Sequence, residues 1–543
     1  MRKKYFLFAS VLALLCGSST LHAQDFKLTS SGYFKNQGVD VMAFDDIYPE
    51  GHQGGVCIIM NGHRVATNGD IRLEATPGQW QPVPKQLDRK LGDNSITATL
   101  CYPDSSRHLT GFNPMIYPDL HLIYTVNVES KGKNIEVTVD LDRPIPQEFI
   151  GKVGFNLEFF PGSLFGKPWI MDGQSGIFPQ QPNSPLMTTQ PNYLHTGNYH
   201  DGKKSLADMD KLIGKGYSPI VADDIISEPY AKGTKFTSRP DDPYNKVTIE
   251  SLSGDLQLFD GRMNHNNGWF VLRSNIKPGV TKGAVKWIIT PNVVADWMYQ
   301  PVIQTSQIGY HPTQDKEAVI EMDIRDNRKE TAQIIRIDAD GEKVVKNVTP
   351  ANWGKFLRYN YLKVNFTDVK EPGLYKIKYN TSVSPIFRID NDVYARGVWQ
   401  PVLEYFLPVQ MCHMRVNEKY RVWHDCCHMD DAQMAPAHNH IDGYDQKEGL
   451  SKFKPGEVVP GVNIGGWHDA GDFDLRIESQ AGESYILALA YEAFHPNLDV
   501  TSIDQINRVT EIHQPDGKND LLQQVENGAL TVVNGYLALG RLY

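Results

Sequence analysis

An acidic pair in a glycine-rich segment carries the clearest chemistry in the sequence. Asp469 and Asp472 stand three residues apart in the run GGWHDAGD, residues 465–472. Two carboxylates at this spacing can hold one water molecule, which one of them deprotonates while the other orients it. Hydrolysis of an acetal with inversion needs such a pair on one face of the sugar and a proton donor on the other.

The alternative for this segment is structural, with Asp469 capping a helix and Asp472 lying on the surface. Trp467, two residues before the first carboxylate, favours the chemical interpretation, because flat aromatic rings pack against sugar faces. The segment therefore predicts hydrolysis of a glycoside.

Cysteine and histidine are concentrated between residues 412 and 440. This stretch holds three of the six cysteines and five of the 17 histidines. Sulfur and imidazole are the ligands of structural zinc sites, which are tetrahedral. The pattern indicates such a site, and the alternatives are a Cys412–Cys426 or Cys412–Cys427 disulfide, or unlinked thiols. A catalytic zinc is less favoured, because thiolate-rich sites are usually closed.

The first 23 residues predict export. A basic start at residues 2–4 is followed by a short apolar stretch and by small and polar residues up to Ala23. This order is typical of a signal peptide, and we place the cleavage after Ala23. Lipoprotein anchoring at Cys16 is the alternative. We expect a periplasmic, cell-surface or secreted protein without a transmembrane segment, since no later run is long and apolar enough.

Length and charge narrow the class of protein further. A chain of 543 residues exceeds the size of a single hydrophobic core, so several domains are expected. The formal net charge is −10 and the sequence has no basic run, which argues against a nucleic-acid partner. Hydrophobic residues at 41% and charged residues at 22% exclude collagen-like, disordered and polytopic membrane classes.

Residues 24–300 predict a large antiparallel β-sandwich of unknown role. Apolar strands on both sides of Asn61-Gly62 indicate a tight hairpin, because both turn residues tolerate positive φ. Residues 131–133 join a second pair of alternating strands, and Asn68-Gly69 predicts another turn.

The remaining chain predicts two further domains. Residues 301–389 contain short strands separated by turn dipeptides, which is typical of an immunoglobulin-like β-sandwich. Residues 390–543 change to helical spacing, with helices expected over 393–411, 476–494 and 520–543. The chain is therefore expected to be a multidomain protein, all-β first and all-α at its end.

Several motifs resemble glycoside hydrolase family 9, the inverting endoglucanase (cellulase) family. Residues 466–472 are similar to its Asp-Ala-Gly-Asp loop, and residues 427–432 to its Cys-His-x-x-Asp-Ala stretch. Residues 307–312 and 371–375 resemble the immunoglobulin-like domain that precedes many such catalytic domains. The resemblance covers residues 301–543 and leaves the first 300 residues out.

This resemblance implies that residues 390–543 begin an (α/α)6 barrel acting on β-1,4-glucan. Asp472 would be the general base, and Asp469 would help to position the water. The family's general acid, a Glu near the far end of the barrel, has no counterpart here. We therefore expect a chain truncated within the barrel and inactive alone.

The same resemblance implies a structural zinc, since some family members bind one through a Cys, a Cys-His pair and a later His. The implied ligands are Cys412, Cys427, His428 and His440, with His438 as the rival for the last place. The main functional alternative is a non-catalytic carbohydrate-binding surface protein in which the β domains do the binding. The residues do not separate cellulose from xyloglucan or mixed-linkage glucan.

Overall fold

The structure is a computed structural model, and it divides the chain into two compact units, residues 1–299 and 300–543. Its description covers residues 25–45, 47–48, 51–52, 54–74, 77, 84–102, 120–182, 186–189, 225–263, 268–430, 432–434, 438–439, 445–446, 451–469 and 475–541.

The first unit is built from β-strands, with short 3-10 turns at Gln147–Phe149, Pro161–Ser163 and Gly261–Met263. In chain order the strands are β1 (Lys27–Leu28), β2 (Phe34–Asn36), β3 (Val39–Ala43), β4 (Ile47–Tyr48), β5 (Gly51–His52), β6 (Val56–Met60), β7 (His63–Leu73), β8 (Lys85–Leu91), β9 (Ser95–Cys101), β10 (Ile123–Lys131), β11 (Asn134–Leu141), β12 (Val153–Phe159), β13 (Pro168–Met171), β14 (Gln174–Ile177), β15 (Leu186–Thr189), β16 (Ile225–Ser227), β17 (Ala231–Gly233), β18 (Lys235–Ser238), β19 (Val247–Ser251), β20 (Leu256–Asp260), β21 (Phe270–Asn275) and β22 (Val285–Pro291).

Two nine-stranded antiparallel sheets dominate this unit. Their orders are β1-β2-β3-β6-β7-β12-β21-β20-β17 and β14-β13-β18-β19-β22-β11-β10-β9-β8. Trp287 of the second sheet meets Phe155 of the first edge to face, with ring centroids 4.9 Å apart. The Trp287 indole also donates a hydrogen bond of 3.0 Å to the Ser274 hydroxyl. One apolar core thus lies between the sheets, as expected for a sandwich.

The two predicted hairpins are present, whereas the prediction of an additional turn at Asn68-Gly69 is wrong. Asn61 and Gly62 both have positive φ, 51° and 85°, between β6 and β7. At Asn68 the chain also takes positive φ, 54°, yet β7 continues through it. The pairing of β7 with both neighbours shifts register in this region, so the Asn-Gly dipeptide forms a bulge within a long strand.

The second unit begins with an antiparallel β-sandwich. Its strands are β23 (Val302–Gln304), β24 (Glu317–Asp323), β25 (Ala332–Asp338), β26 (Gly341–Val348), β27 (Ala351–Phe356), β28 (Tyr359–Asn365), β29 (Gly373–Tyr379), β30 (Ser382–Val383) and β31 (Phe387–Ile389). They form two small sheets, β23-β24-β28-β27 and β26-β25-β29 with β30 and β31 beside β29. Tyr310, Phe366 and Phe387 form the aromatic centre, and the Tyr310 hydroxyl donates to the Glu317 carbonyl.

The rest of this unit mixes helices with short strands. After a π-helix at Val402–Phe406 come α1 (Leu407–Gln410), α2 (Ile477–Phe494) and α3 (Asp520–Leu539). The strands are β32 (Arg415–Glu418), β33 (Arg421–His424), β34 (His438–Asn439), β35 (Asp445–Gln446), β36 (Thr501–Asp504) and β37 (Val509–Ile512). Four of them form a sheet with the order β33-β32-β37-β36.

The helix predictions for this region are confirmed only in part. Helix α2 matches the expectation, whereas the helix expected over 393–411 is shortened to residues 400–410, because residues 393–399 form turns and bends. Helix α3 ends at Leu539, where Gly540 adopts φ 80° and its N–H bonds to the Tyr536 carbonyl. The described residues contain two long helices, so the (α/α)6 barrel remains a prediction.

The two long helices leave apolar side chains outside the local core. Tyr485, Phe494 and Leu537 are among the most exposed. Among the described residues, no helix is both long enough and apolar enough to cross a membrane.

Candidate functional site

A short antiparallel contact brings two distant segments of the second unit together. Met411 and Trp467 form an isolated β-bridge, with the Cys412 N–H donating to the Gly466 carbonyl at 2.9 Å. The His468 N–H donates to the Gln410 carbonyl at 2.8 Å. Because side chains alternate along extended backbone, Cys412 and His468 lie on the same side of this contact.

Four sulfur and nitrogen ligand atoms meet beside this bridge. Cys412, Cys427, His428 and His468 each offer one atom, and these atoms all lie within 4.8 Å of one another. The Cys412 sulfur is 3.6 Å from the Cys427 sulfur and 3.0 Å from His428 Nδ1. The Cys427 sulfur is 3.2 Å from His468 Nε2. Two thiols and two imidazoles in one cluster could hold a metal ion.

The electrostatic environment of the cluster favours a thiolate. Hydrogen bonding to the Cys412 thiol, with further bonds to His424 and His468, holds the pKa of Cys427 far below its usual range, although burial opposes this. The bond to Cys427 raises the pKa of His424. Burial lowers the pKa of His413, whose Nδ1 lies 2.9 Å from the Gly465 carbonyl. Thiolates are the form in which cysteine binds metals.

The structure brings three of the four implied ligands together and puts a different residue in the fourth place. Cys412, Cys427 and His428 share the cluster, whereas His468 completes it. His440 lies outside the described residues, and of the rival His438 only the backbone is described, in β34. The sequence interpretation missed His468, because it stands 40 residues after His428 and only the Met411–Trp467 bridge brings it close.

Neither disulfide alternative is formed. None of the five cysteines of the described residues forms a disulfide bond. The 3.6 Å between the Cys412 and Cys427 sulfurs is far longer than the about 2.0 Å of a disulfide bond. Cys426 is exposed, and its thiol points to the Arg508 carbonyl. It therefore lies next to the cluster in sequence without taking part in it.

A buried polar network fixes the segment that leads to the acidic pair. The Gln480 amide of α2 accepts from the Trp467 N–H at 2.8 Å and donates to the Trp467 carbonyl at 3.0 Å. Asn527 of α3 contacts Gly466 twice: its backbone carbonyl accepts from the Gly466 N–H at 2.9 Å, and its side-chain amide donates to the Gly466 carbonyl at 3.0 Å. Both helices thus hold the Gly466–Trp467 backbone through hydrogen bonds that a sequence pattern does not reveal.

Glycine is required where this segment passes α3. Gly465 adopts φ 73°, and a Cβ there would lie 2.2 Å from the Asn527 carbonyl oxygen. Any other residue would push the loop away from the helix. The glycines of the motif therefore serve close backbone packing.

The proposed sugar contact of Trp467 is wrong. Its side chain is 1% exposed, and the indole donates a 2.8 Å hydrogen bond to Gln524. Because Trp467 points into the core between the helices, it anchors the loop, and its neighbour Asp469 is the residue that faces solvent.

Asp469 lies exposed at the end of the fixed segment. Its Oδ2 is 3.4 Å from Arg476 Nε, and the Ser479 hydroxyl is 3.5 Å from its Oδ1. Burial and the nearby Asp469 carboxylate raise the pKa of Glu483. Asp472 lies outside the described residues, so the distance between the two carboxylates of the predicted pair is not given by the structure.

Comparison with known proteins defines the class of the domain that precedes this site. Residues 298–384 match the family described as "Cellulase N-terminal ig-like domain". The resemblance drawn from residues 307–312 and 371–375 is thereby confirmed at the level of this domain, which is similar to the immunoglobulin-like domain of cellulases. A search of curated proteins gave no match.

Solved structures give further partial similarities. A metagenome-derived glycoside hydrolase family 9 endoglucanase is 23% identical, with a TM-score of 0.33, over 43% of this chain and 40% of that one. A Bacteroides ovatus family 9 protein is 19% identical, with a TM-score of 0.32, over 43% and 39%. The Slr1438 protein of Synechocystis sp. PCC 6803 is 11% identical, with a TM-score of 0.23, over 49% and 96%. The chain thus spans about 40% of the endoglucanase structure.

The cysteine cluster predicts the metal content of the protein. We expect one metal ion per chain in wild-type protein and none after Cys412→Ser, because the variant loses one of the two sulfur ligands. Cys426→Ser is the matched control, since that thiol lies outside the cluster. Elemental analysis by mass spectrometry measures both. Loss of the metal from both variants would contradict this assignment, as would wild-type protein that contains no metal.

The same measurement distinguishes His468 from His440 as the fourth ligand of the ion. We expect His468→Ala to lose the ion and His440→Ala to retain it, because His468 Nε2 already lies against the Cys427 sulfur. The opposite result would return the fourth position to the ligand implied by family resemblance.

The two buried hydrogen bonds of Gln480 predict that its replacement lowers the free energy of unfolding. Gln480→Leu leaves the Trp467 N–H and carbonyl without partners, and each unmet buried group costs about 1–3 kcal/mol. Chemical denaturation should show a decrease of about 2–6 kcal/mol in the free energy of unfolding of the second unit. Glu492→Leu, on the exposed side of the same helix, should change it by about 0.5 kcal/mol or less. Equal effects of the two variants would argue against the network.

Proposed function

We propose that this chain is part of an exported, inverting β-1,4-glucanase of glycoside hydrolase family 9. The observation that carries the proposal is the exposed Asp469, which follows a backbone segment fixed by buried amides. The family match of the preceding domain supports it independently. The substrate is a β-glucan chain, and the leader at residues 1–23 provides export.

The reaction proceeds in one displacement. Asp472 accepts a proton from a water molecule while Asp469 accepts its second hydrogen bond and orients it. The water oxygen then bonds to the anomeric carbon as the glycosidic C–O bond breaks, which inverts the configuration. The leaving oxygen takes a proton from a carboxylic acid on the opposite face of the sugar. In our proposal that acid comes from a part of the catalytic domain outside this chain.

We further propose that the Cys/His cluster binds a structural Zn²⁺. Ligand atoms around one tetrahedral zinc lie about 3.4–3.8 Å apart, and the separations of 3.6, 3.0 and 3.2 Å are close to this. Two thiolates and two imidazoles complete the coordination and leave no open position for substrate. The bound ion would fix His468, and with it the backbone that presents Asp469.

The acidic pair is tested in the enzyme that carries the complete catalytic domain. Asp472→Asn should lower kcat on β-glucan by about a hundredfold or more, because it removes the base that deprotonates water. Glucan binding should change little, since the amide keeps the shape of the carboxylate. Hydrolysis assays and glucan pull-down measure the two effects.

Asp430→Asn serves as the control, because Asp430 is an exposed aspartate of the same unit. A near-normal rate for Asp472→Asn would place the base elsewhere. Residues 1–543 expressed alone should show no turnover, and measurable cellulase activity would contradict an acid supplied from outside this chain.

A further inference from the structure

A group of charged side chains is buried on one face of the first sheet in the N-terminal unit. Along β7, Asp70 and Arg72 alternate with the core residues Ile71 and Leu73, and Glu74 continues the same row. Alternation sends this polar row to the face opposite the apolar core. Although this face is not the core, all three charged residues are buried.

Neighbouring strands extend the polar row across the sheet. Asp70 pairs with Asn156 of β12, and Asn156 pairs with Arg273 of β21. The Arg273 guanidinium donates to Asn156 Oδ1 at 3.1 Å and to the Glu74 carbonyl at 2.9 Å. Asn156 donates in turn to Glu74 Oε1 at 2.6 Å. The row is therefore a connected network across three strands.

A glycine leaves the space that this network occupies. A Cβ on Gly154 of β12 would lie 2.8 Å from Arg273 Nε and 2.9 Å from Asn275 Oδ1. The absence of a side chain at this position therefore leaves room for the Arg273 guanidinium. Two tyrosines close the side, with the Tyr124 hydroxyl donating to Asp70 and the Tyr102 hydroxyl to the Ile71 carbonyl.

Arg72 differs from the other members of the network. Arg72 is 9% exposed, and within the part of the chain that the structure describes its Nε has no hydrogen-bond partner. The charges around it are Glu158, Asp70 and Glu74. Arg273 nearby uses Nε, Nη1 and Nη2 in hydrogen bonds, so Arg72 is the guanidinium of this pair with an unused buried donor. A buried donor left without a partner costs free energy, which a bound acceptor would recover.

A contribution to stability does not by itself explain why these charged residues are buried together. Burial raises the pKa of Glu74 to about 7, against the opposing influence of Arg273 and Arg72. Buried ion pairs are often no more stabilising than apolar residues of the same volume, because desolvation offsets their attraction. Shifted carboxyl groups of this kind concentrate at functional sites.

We propose that this polar row is a binding site for a neutral sugar, with Arg72 donating to a ligand oxygen and Glu158 accepting from a ligand hydroxyl. Two guanidinium groups are matched by Asp70, Glu158 and Glu74, whose pKa is about 7, so the row carries no net positive charge to attract an anionic ligand. A cationic ligand would be repelled by the positive charge of Arg72. A neutral polyol supplies both acceptors and donors, which matches this mixed surface.

Calorimetric titration of the full chain with glucose, galactose, xylose and cellobiose tests the site. We expect at least one of these sugars to bind. Arg72→Lys keeps the charge and loses the planar donor, so it should weaken binding about tenfold to a hundredfold. Arg143→Met, an exposed arginine of the same unit, is the matched control and should bind as wild type does.

A second variant keeps the test valid if Arg72→Lys does not fold. Arg72→Met/Glu158→Gln removes one charge of each sign and retains the acceptor for Asn68, which contacts Glu158 at 2.6 Å. Loss of sugar binding in this folded variant supports the site. Unchanged binding overturns the proposal, as does the absence of binding for every sugar tested. Glucuronate or inorganic phosphate binding more tightly than all the neutral sugars also overturns it.

Discussion

The bridge between Met411 and Trp467 is the contact on which the candidate site depends. It joins backbone segments that are 56 residues apart in sequence, and it sets Cys412 and His468 side by side. Asp469 follows His468 directly, so the geometry of the metal cluster and the direction of the carboxylate are linked through a single peptide unit. A change in the register of this bridge would separate the ligands and turn Asp469 away at the same time.

Buried amides give this bridge one defined position. Gln480 and Asn527 satisfy both hydrogen-bonding groups of Trp467 and Gly466 backbone, and the Trp467 ring fills the space between α2 and α3. Apolar packing alone tolerates small shifts, whereas paired donors and acceptors fit in one arrangement. The N-terminal unit contains a comparable buried hydrogen-bond network around Arg273, across β7, β12 and β21.

Local signals in the sequence were enough to predict the elements whose geometry is set by neighbouring residues. The Asn61-Gly62 hairpin, the immunoglobulin-like strands and helix α2 follow from turn chemistry and periodicity. Asn68-Gly69 has the same local signal as the hairpin, but pairing on both sides of β7 converts it into a bulge. His468 and Gln480 acquire their roles from long-range contacts, and Trp467 is buried for the same reason, so their neighbours in sequence could not reveal them.

X-ray absorption spectroscopy of the purified chain at the zinc edge would identify the ligand atoms of the bound ion itself. We expect two sulfur neighbours at about 2.3 Å and two imidazole nitrogens at about 2.0–2.1 Å. A shell without sulfur, or with a single sulfur, would contradict a site built from Cys412, Cys427, His428 and His468.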